Sequence, residues 1–170
     1  MKKEMKYSFG FLIIVFIVIL FLPQKIRIPV QGATKSSYNQ KSFWFYPWGK
    51  SGTHKGIDIF AAEGTTVLSS TYGLVLYSGE IEMGGKVVLI LAHDLKIHYY
   101  AHLKEIQVPS YSLVKTDVPI GSVGTSGNAL GKPPHLHYTI FTLIPYIWRM
   151  DFDREGWKKM FFLNPIDFFY

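Results

Sequence analysis

The sequence contains no cysteine among its 170 residues. That absence excludes disulfides, thiolate metal ligands, a cysteine nucleophile and a lipid-modified N-terminal cysteine, so any metal must be held by His, Asp or Glu. No serine-nucleophile motif is present either, since "SGT" at 51–53 and the serines near Ser69 lack the required context. Gly121, Gly124, Gly127 and Gly131 do not have phosphate-loop spacing and read as turn residues. Repeats, low-complexity tracts and basic runs with interleaved aromatics are missing as well. The formal charge of +6 is concentrated at one end: residues 1–32 hold five Lys/Arg and one acid, leaving thirteen Lys/Arg against eleven Asp/Glu in residues 33–170. A nearly balanced remainder implies no nucleic-acid partner.

At the N-terminus, Lys2, Lys3 and Lys6 precede the apolar stretch "FGFLIIVFIVILFL" from Phe9 to Leu22, which Pro23 ends. This is the layout of an export signal or a membrane anchor, and it sends the rest of the chain out of the cytoplasm. The run is shorter than the roughly 20 apolar residues of a spanning helix, which suits a cleaved signal. Lys25, Arg27 and Pro29 ahead of the small residues Gly32-Ala33 suit an uncleaved anchor instead. The anchor reading is preferred, with the lysines keeping the N-terminus cytoplasmic and the domain outside, in the cell envelope or periplasm.

The length suffices for one domain with one core. Residues 1–22 form the signal or anchor helix, the Pro- and Gly-punctuated residues 23–42 read as a linker, and the domain runs over 43–170. Within it, short β-rich runs alternate with turn residues: "GIDIF", "TTVLSS", "GLVLYSG", "KVVLILA", "KIHYYAHL", "VPIGSVG" and "HLHYTIF". The expected fold is all-β, an antiparallel sheet forming a groove floor walled by loops. "KVVLILAHDLKIHYYAHL" reads as a hairpin turning at "HDLK", and "DFDREGWKKMFF" reads as a short helix.

Chemistry concentrates in the histidines. In an extended chain alternate side chains share a face, so His135 and His137 of "HLH" project together, and His54 and Asp58 of "HKGID" do the same. Adding one imidazole of "HLH" to His54 and Asp58 makes a set of two nitrogens and one oxygen, which suits zinc with a fourth position for water. Zinc lowers the pKa of such a water to about 7 and polarises a neighbouring carbonyl, so amide hydrolysis becomes feasible. His102 and the remaining "HLH" imidazole are left to move a proton or steady an oxyanion. His93 and His98, in or beside the hairpin turn, read as structural. Tyr46 and Trp48 are candidates for lining a peptide groove, with packing an equal alternative.

Three motifs in order, "HKGID" at 54–58, "YAHL" at 100–103 and "HLH" at 135–137, resemble the LytM/lysostaphin-type zinc metalloendopeptidases that cut peptide cross-links in bacterial peptidoglycan. The resemblance covers about residues 43–168 and extends to "GLVLYSG", "IGSVGTSG" and Asn164-Pro165. It implies that His54, Asp58 and His137 bind a single Zn2+ and that His102 and His135 are the catalytic pair, with the general base open between them. It also implies peptidoglycan peptide as substrate, beside which the anchor read from the N-terminal segment would hold the catalyst.

Two departures stand out. Thr139 occupies the place where many members carry an acid two positions after the second histidine of H-x-H. The stretch between His137 and Asn164 is longer and more aromatic than expected, and reads as a substrate-side flap or a membrane-facing patch. The rival readings are a latent or non-catalytic wall-binding or activator module on the same fold, and a zinc peptidase acting on another envelope peptide.

Overall fold

Burial along the central runs builds the sheet. In "GKVVLILA" half-buried positions are spaced among buried ones, and in "HLHYTIFT" six of eight positions are buried with only His137 and Phe141 half-buried, so these are central strands covered over most of both faces. The computed structural model describes residues 2–20 and 26–170. Nine strands form one antiparallel sheet: β1 (Ile57–Phe60), β2 (Thr66–Leu68), β3 (Gly73–Ile81), β4 (Gly85–Ala92), β5 (Lys96–Ile106), β6 (Leu113–Val114), β7 (Pro119–Val123), β8 (His135–Thr142) and β9 (Phe162–Leu163). The main order is β1-β8-β5-β4-β3-β6, with β9 on β8 and β7 joining both β2 and β5. The expected all-β fold with an antiparallel sheet is therefore present. The β4–β5 hairpin turns at residues 93–95, and "GWKKM" forms a 3-10 helix, Gly156–Met160.

The core lies under the sheet, where Ile57 and Ile59 of β1 meet Leu136, Tyr138 and Ile140 of β8, Tyr100 of β5 and Ile90 of β4. His98 points into this core. Its Nδ1 lies 2.6 Å from the Tyr138 hydroxyl, and burial pushes its pKa down to about 4, so it is held neutral. The structural reading of His98 is thus met, and His93 sits exposed in the turn.

The linker expectation needs correction. Ile26, Val30 and Tyr38 are buried in the same core, and they bridge to Phe169, Val67 and Ile59 respectively. Three apolar side chains spaced through a Pro- and Gly-rich stretch carry no strand periodicity, so the polar composition hid their burial. The segment from residue 26 is part of the folded unit.

An α-helix, α1, spans Lys2–Leu20. Among the described residues no helix is long and apolar enough to cross a membrane. The last two residues of the apolar run, Phe21 and Leu22, lie outside the described residues.

Candidate metal centre

Strand register brings the first and last motifs together. Asp58 of β1 stands directly opposite His137 of β8, which in turn stands opposite Ala101 of β5. His54 lies in the loop before β1 and reaches back over the sheet. Its backbone is tied into a small ladder, Trp44 N–H to the His54 carbonyl at 2.7 Å and His54 N–H to the Phe45 carbonyl at 3.0 Å. The indole of Trp48 stacks on the imidazole with ring centroids 4.0 Å apart.

The three donor atoms converge. His54 Nε2 is 3.2 Å from Asp58 Oδ1 and 3.1 Å from His137 Nδ1, and His137 Nδ1 is 2.8 Å from the same carboxylate oxygen. Ligand atoms bound to one tetrahedral zinc at about 2.0–2.1 Å stand about 3.3 Å apart, so these separations fit a single ion. Tautomers agree with that use. The Ser42 carbonyl, 2.9 Å from His54 Nδ1, can only accept a hydrogen bond, so Nδ1 carries the proton and Nε2 presents a lone pair. His137 Nε2 meets the Thr139 hydroxyl at 3.1 Å, and donation to that oxygen frees Nδ1 in the same way. Two lone pairs and a carboxylate then face one another, an arrangement that a cation relieves. Among the described residues, His54, Asp58 and His137 form a group that could hold a metal ion.

Thr139, at the place of the expected acid, therefore gives His137 Nε2 its partner. Where protons rather than a cation sit between these donors, Asp58 feels opposing influences: burial raises its pKa, but hydrogen bonds from the N–H groups that His137 and His54 then present outweigh this and hold the carboxyl well below the usual range.

Two more imidazoles complete the floor. His102 Nδ1 donates to the Ser126 carbonyl at 2.9 Å and His135 Nδ1 to the Pro133 carbonyl at 2.7 Å, so the neutral form of each ring carries its lone pair on Nε2. His135 Nε2 lies 4.0 Å from Asp58 Oδ1, and the His102 ring packs against His135 and His137 at centroid distances of 5.1 and 6.0 Å. Burial, reinforced by His137 and His135, pushes the His102 pKa down to about 4 and keeps its lone pair available at neutral pH.

How His102 reaches the cleft is a backbone matter. His98 and Tyr100 face the core, and strict alternation would send His102 after them. At this residue β5 stops pairing with β8 and starts pairing with β7, with a register shift on each side, and φ is +63°. The left-handed residue turns the side chain to the opposite face, a strained conformation of the kind that clusters at functional sites.

All five candidate residues line one cleft of about 620 Å3, together with Trp48, Tyr99, Met83, Asn128 and Lys132. The groove-lining alternative for Trp48 holds, whereas Tyr46 lies under the Arg154 guanidinium, 4.2 Å from its ring centroid. The long segment after β8 braces the wall that carries His54. Glu155 accepts hydrogen bonds from Thr53 Oγ1 at 2.7 Å and Lys55 Nζ at 2.9 Å, and pairs with Lys158. These contacts hold the Glu155 carboxyl down at about 2. Trp44 Nε1 donates to the Arg154 carbonyl at 3.2 Å. The sequence offered no pointer to Ser42, Ser126 and Pro133, because they act through backbone carbonyls that any residue possesses.

The profile of peptidase family M23 matches residues 52–145, more than half of the chain. Among curated proteins, the chain is similar to an L-Ala–D-Glu endopeptidase of Bacillus subtilis, 36% identical over 116 residues, which cover 63% of this chain and 36% of that protein. It is also similar to the peptidoglycan DD-endopeptidase ShyC of Vibrio cholerae, 33% identical over 90 residues, covering 53% of this chain and 20% of that one. The match thus spans about a third or less of these relatives' length. Among solved structures, the catalytic domain of the antimicrobial peptidase lysostaphin from Staphylococcus simulans aligns with a TM-score of 0.62 at 25% identity, covering 78% of this chain and 92% of that domain. The ordered motifs, the shared fold and the profile match together make this chain a member of peptidase family M23.

Proposed function

We propose that the protein is a single-zinc endopeptidase hydrolysing a peptide bond within peptidoglycan. The observation that carries this reading is the convergence of three metal-competent donor atoms within 3.2 Å of one another, beside two imidazoles whose free nitrogens share the same cleft. His54 Nε2, Asp58 Oδ1 and His137 Nδ1 would hold the ion. When bound, zinc would polarise the scissile carbonyl and make a water acidic enough to attack at neutral pH.

The remaining steps belong to the chain. His102 and His135, each locked as the Nδ1–H tautomer by a backbone carbonyl, present Nε2 to accept the proton released on attack. Once protonated, the same nitrogen can donate to the developing oxyanion or to the departing amine. The Trp48 ring steadies His54 and walls one side of the cleft, limiting water access. The relatives' names supply the substrate class, and they name two different wall peptide bonds, L-Ala–D-Glu and the DD type. Export by the N-terminal basic and apolar segment, with retention at the membrane, would place the catalyst beside this polymer in the cell envelope.

The test uses the metal-loaded full chain with purified peptidoglycan, beside its His102→Ala and His54→Ala variants. Stoichiometric zinc in the wild type and His102→Ala, new amine and carboxyl ends by mass only from the wild type, and lost zinc in His54→Ala are expected. Stoichiometric zinc without new ends from the wild type would sink the hydrolase assignment.

A further inference from the structure

The charges lining the cleft are unequal. Lys50, Lys55 and Lys132 face it, and the single acid among its lining residues is Asp58, whose carboxylate is taken up by the metal donors. Lys55 is already satisfied, with Glu155 at 2.9 Å and the Ser51 carbonyl at 2.8 Å. Lys50 and Lys132 are exposed, and the ammonium group of neither has a hydrogen-bond or ion partner among the described residues. Two uncompensated ammonium groups lining one cleft attract anions.

Both are attached to the catalytic machinery through rigid backbone. Lys50 belongs to the 3-10 turn Gly49–Ser51, directly after Trp48, whose ring stacks on His54. Lys132 precedes Pro133, whose carbonyl holds His135 Nδ1 at 2.7 Å, and its own N–H is bonded to the Ala129 carbonyl at 3.0 Å. Each ammonium therefore swings from a base that is fixed relative to a site histidine. A peptide laid along the floor would come within reach of both cations.

We infer that the cleft selects acidic peptides, with Lys50 and Lys132 as specificity-determining residues that read carboxylates flanking the scissile bond. This rests on the peptidase reading above and deepens it, because it names free carboxylates on the wall peptide as the recognised feature. The two lysines touch substrate groups and take no part in bond breaking. Exposed ion pairs are worth about 0.2–1 kcal/mol each, so each contributes about 1.4- to fivefold in affinity. The contribution fades as salt rises.

The experiment uses the zinc-loaded full chain with two synthetic wall-type peptides, one with free carboxylates and its fully amidated twin, measuring binding by calorimetry and turnover by mass. The wild type should bind the acidic peptide more tightly, and Lys50→Gln and Lys132→Gln should each erode that advantage about 1.4- to fivefold without changing zinc content or affinity for the amidated twin. Raising ionic strength should erode it likewise. Equal binding of the two peptides, no binding of either, or an advantage that survives in the double variant would overturn the inference. Preferential binding without turnover would count against the hydrolase reading alone.

Discussion

Gly56, the central residue of "HKGID", provides the sharpest test of how the proposed metal centre is built. A Cβ placed there would stand 2.5 Å from the Tyr138 carbonyl oxygen, 2.4 Å from Thr139 Oγ1 and 3.0 Å from His137 Cε1. Ordinary nonbonded contact begins at about 3.5 Å, so β1 and β8 would have to part by several tenths of an ångström up to about 1 Å. Thr139 can rotate its hydroxyl away, but the Tyr138 carbonyl is backbone and is pinned by the pairing of Ile57 with Tyr138 and Asp58 with His137. Forcing a methyl into such a site costs about 1–3 kcal/mol. For a domain of this size about 2 kcal/mol lowers Tm by about 4–8 °C. The same shift separates Asp58 from His137, and disturbing the support of a metal ligand weakens affinity by about 10- to 100-fold. Calorimetry of the metal-free Gly56→Ala protein isolates the packing penalty, and zinc titration of the folded variant gives the ligation penalty. Unchanged Tm together with unchanged zinc affinity would refute the close approach of β1 to β8.

Thr139→Val removes the oxygen facing His137 Nε2 while keeping the side chain's shape, so zinc affinity should fall about tenfold and Thr139→Ser should restore it, with far-UV circular dichroism unchanged throughout. A Thr139→Val protein with full affinity would show that His137 needs no such partner. His98 gives a pH signature away from the cleft. Burial holds it at about 4 in the folded chain, against about 6.5 when unfolded, so between those values the unfolded state binds more protons and stability falls as pH drops. His98→Gln should retain zinc and turnover while flattening the decline in metal-loaded stability from pH 6.5 to 4 by about one proton. An unchanged slope would contradict a neutral, buried His98.

The legible parts of the molecule were those with local signals. Period-two apolar runs between turn residues marked the strands, and the "HDLK" break marked the hairpin, because a half-buried strand must alternate. The donor set was legible for a chemical reason: without cysteine, a metal can be held only by nitrogen and oxygen, and "HKGID" and "HLH" offer such atoms at spacings that share a face. Residues 26–42 were misread as a tether, since isolated buried residues such as Ile26 and Val30 carry no periodicity, and their burial depends on partners at Phe169 and Val67.

His102 marks the limit most clearly. Strand alternation alone assigns it to the core beside His98 and Tyr100, and only the exchange of β5 from β8 to β7, with φ at +63°, turns it into the cleft. The tautomers of His54, His102 and His135 were set by the carbonyls of Ser42, Ser126 and Pro133, groups that every residue possesses. The Glu155 brace on Thr53 and Lys55 joins positions about a hundred residues apart. By itself the sequence determined which side chains were available and which short segments would be extended, because those follow from residue chemistry and local periodicity. Which atoms meet, in which protonation state and on which face, was decided by register and backbone contacts between distant strands, which exist only once the sheet has closed over its core.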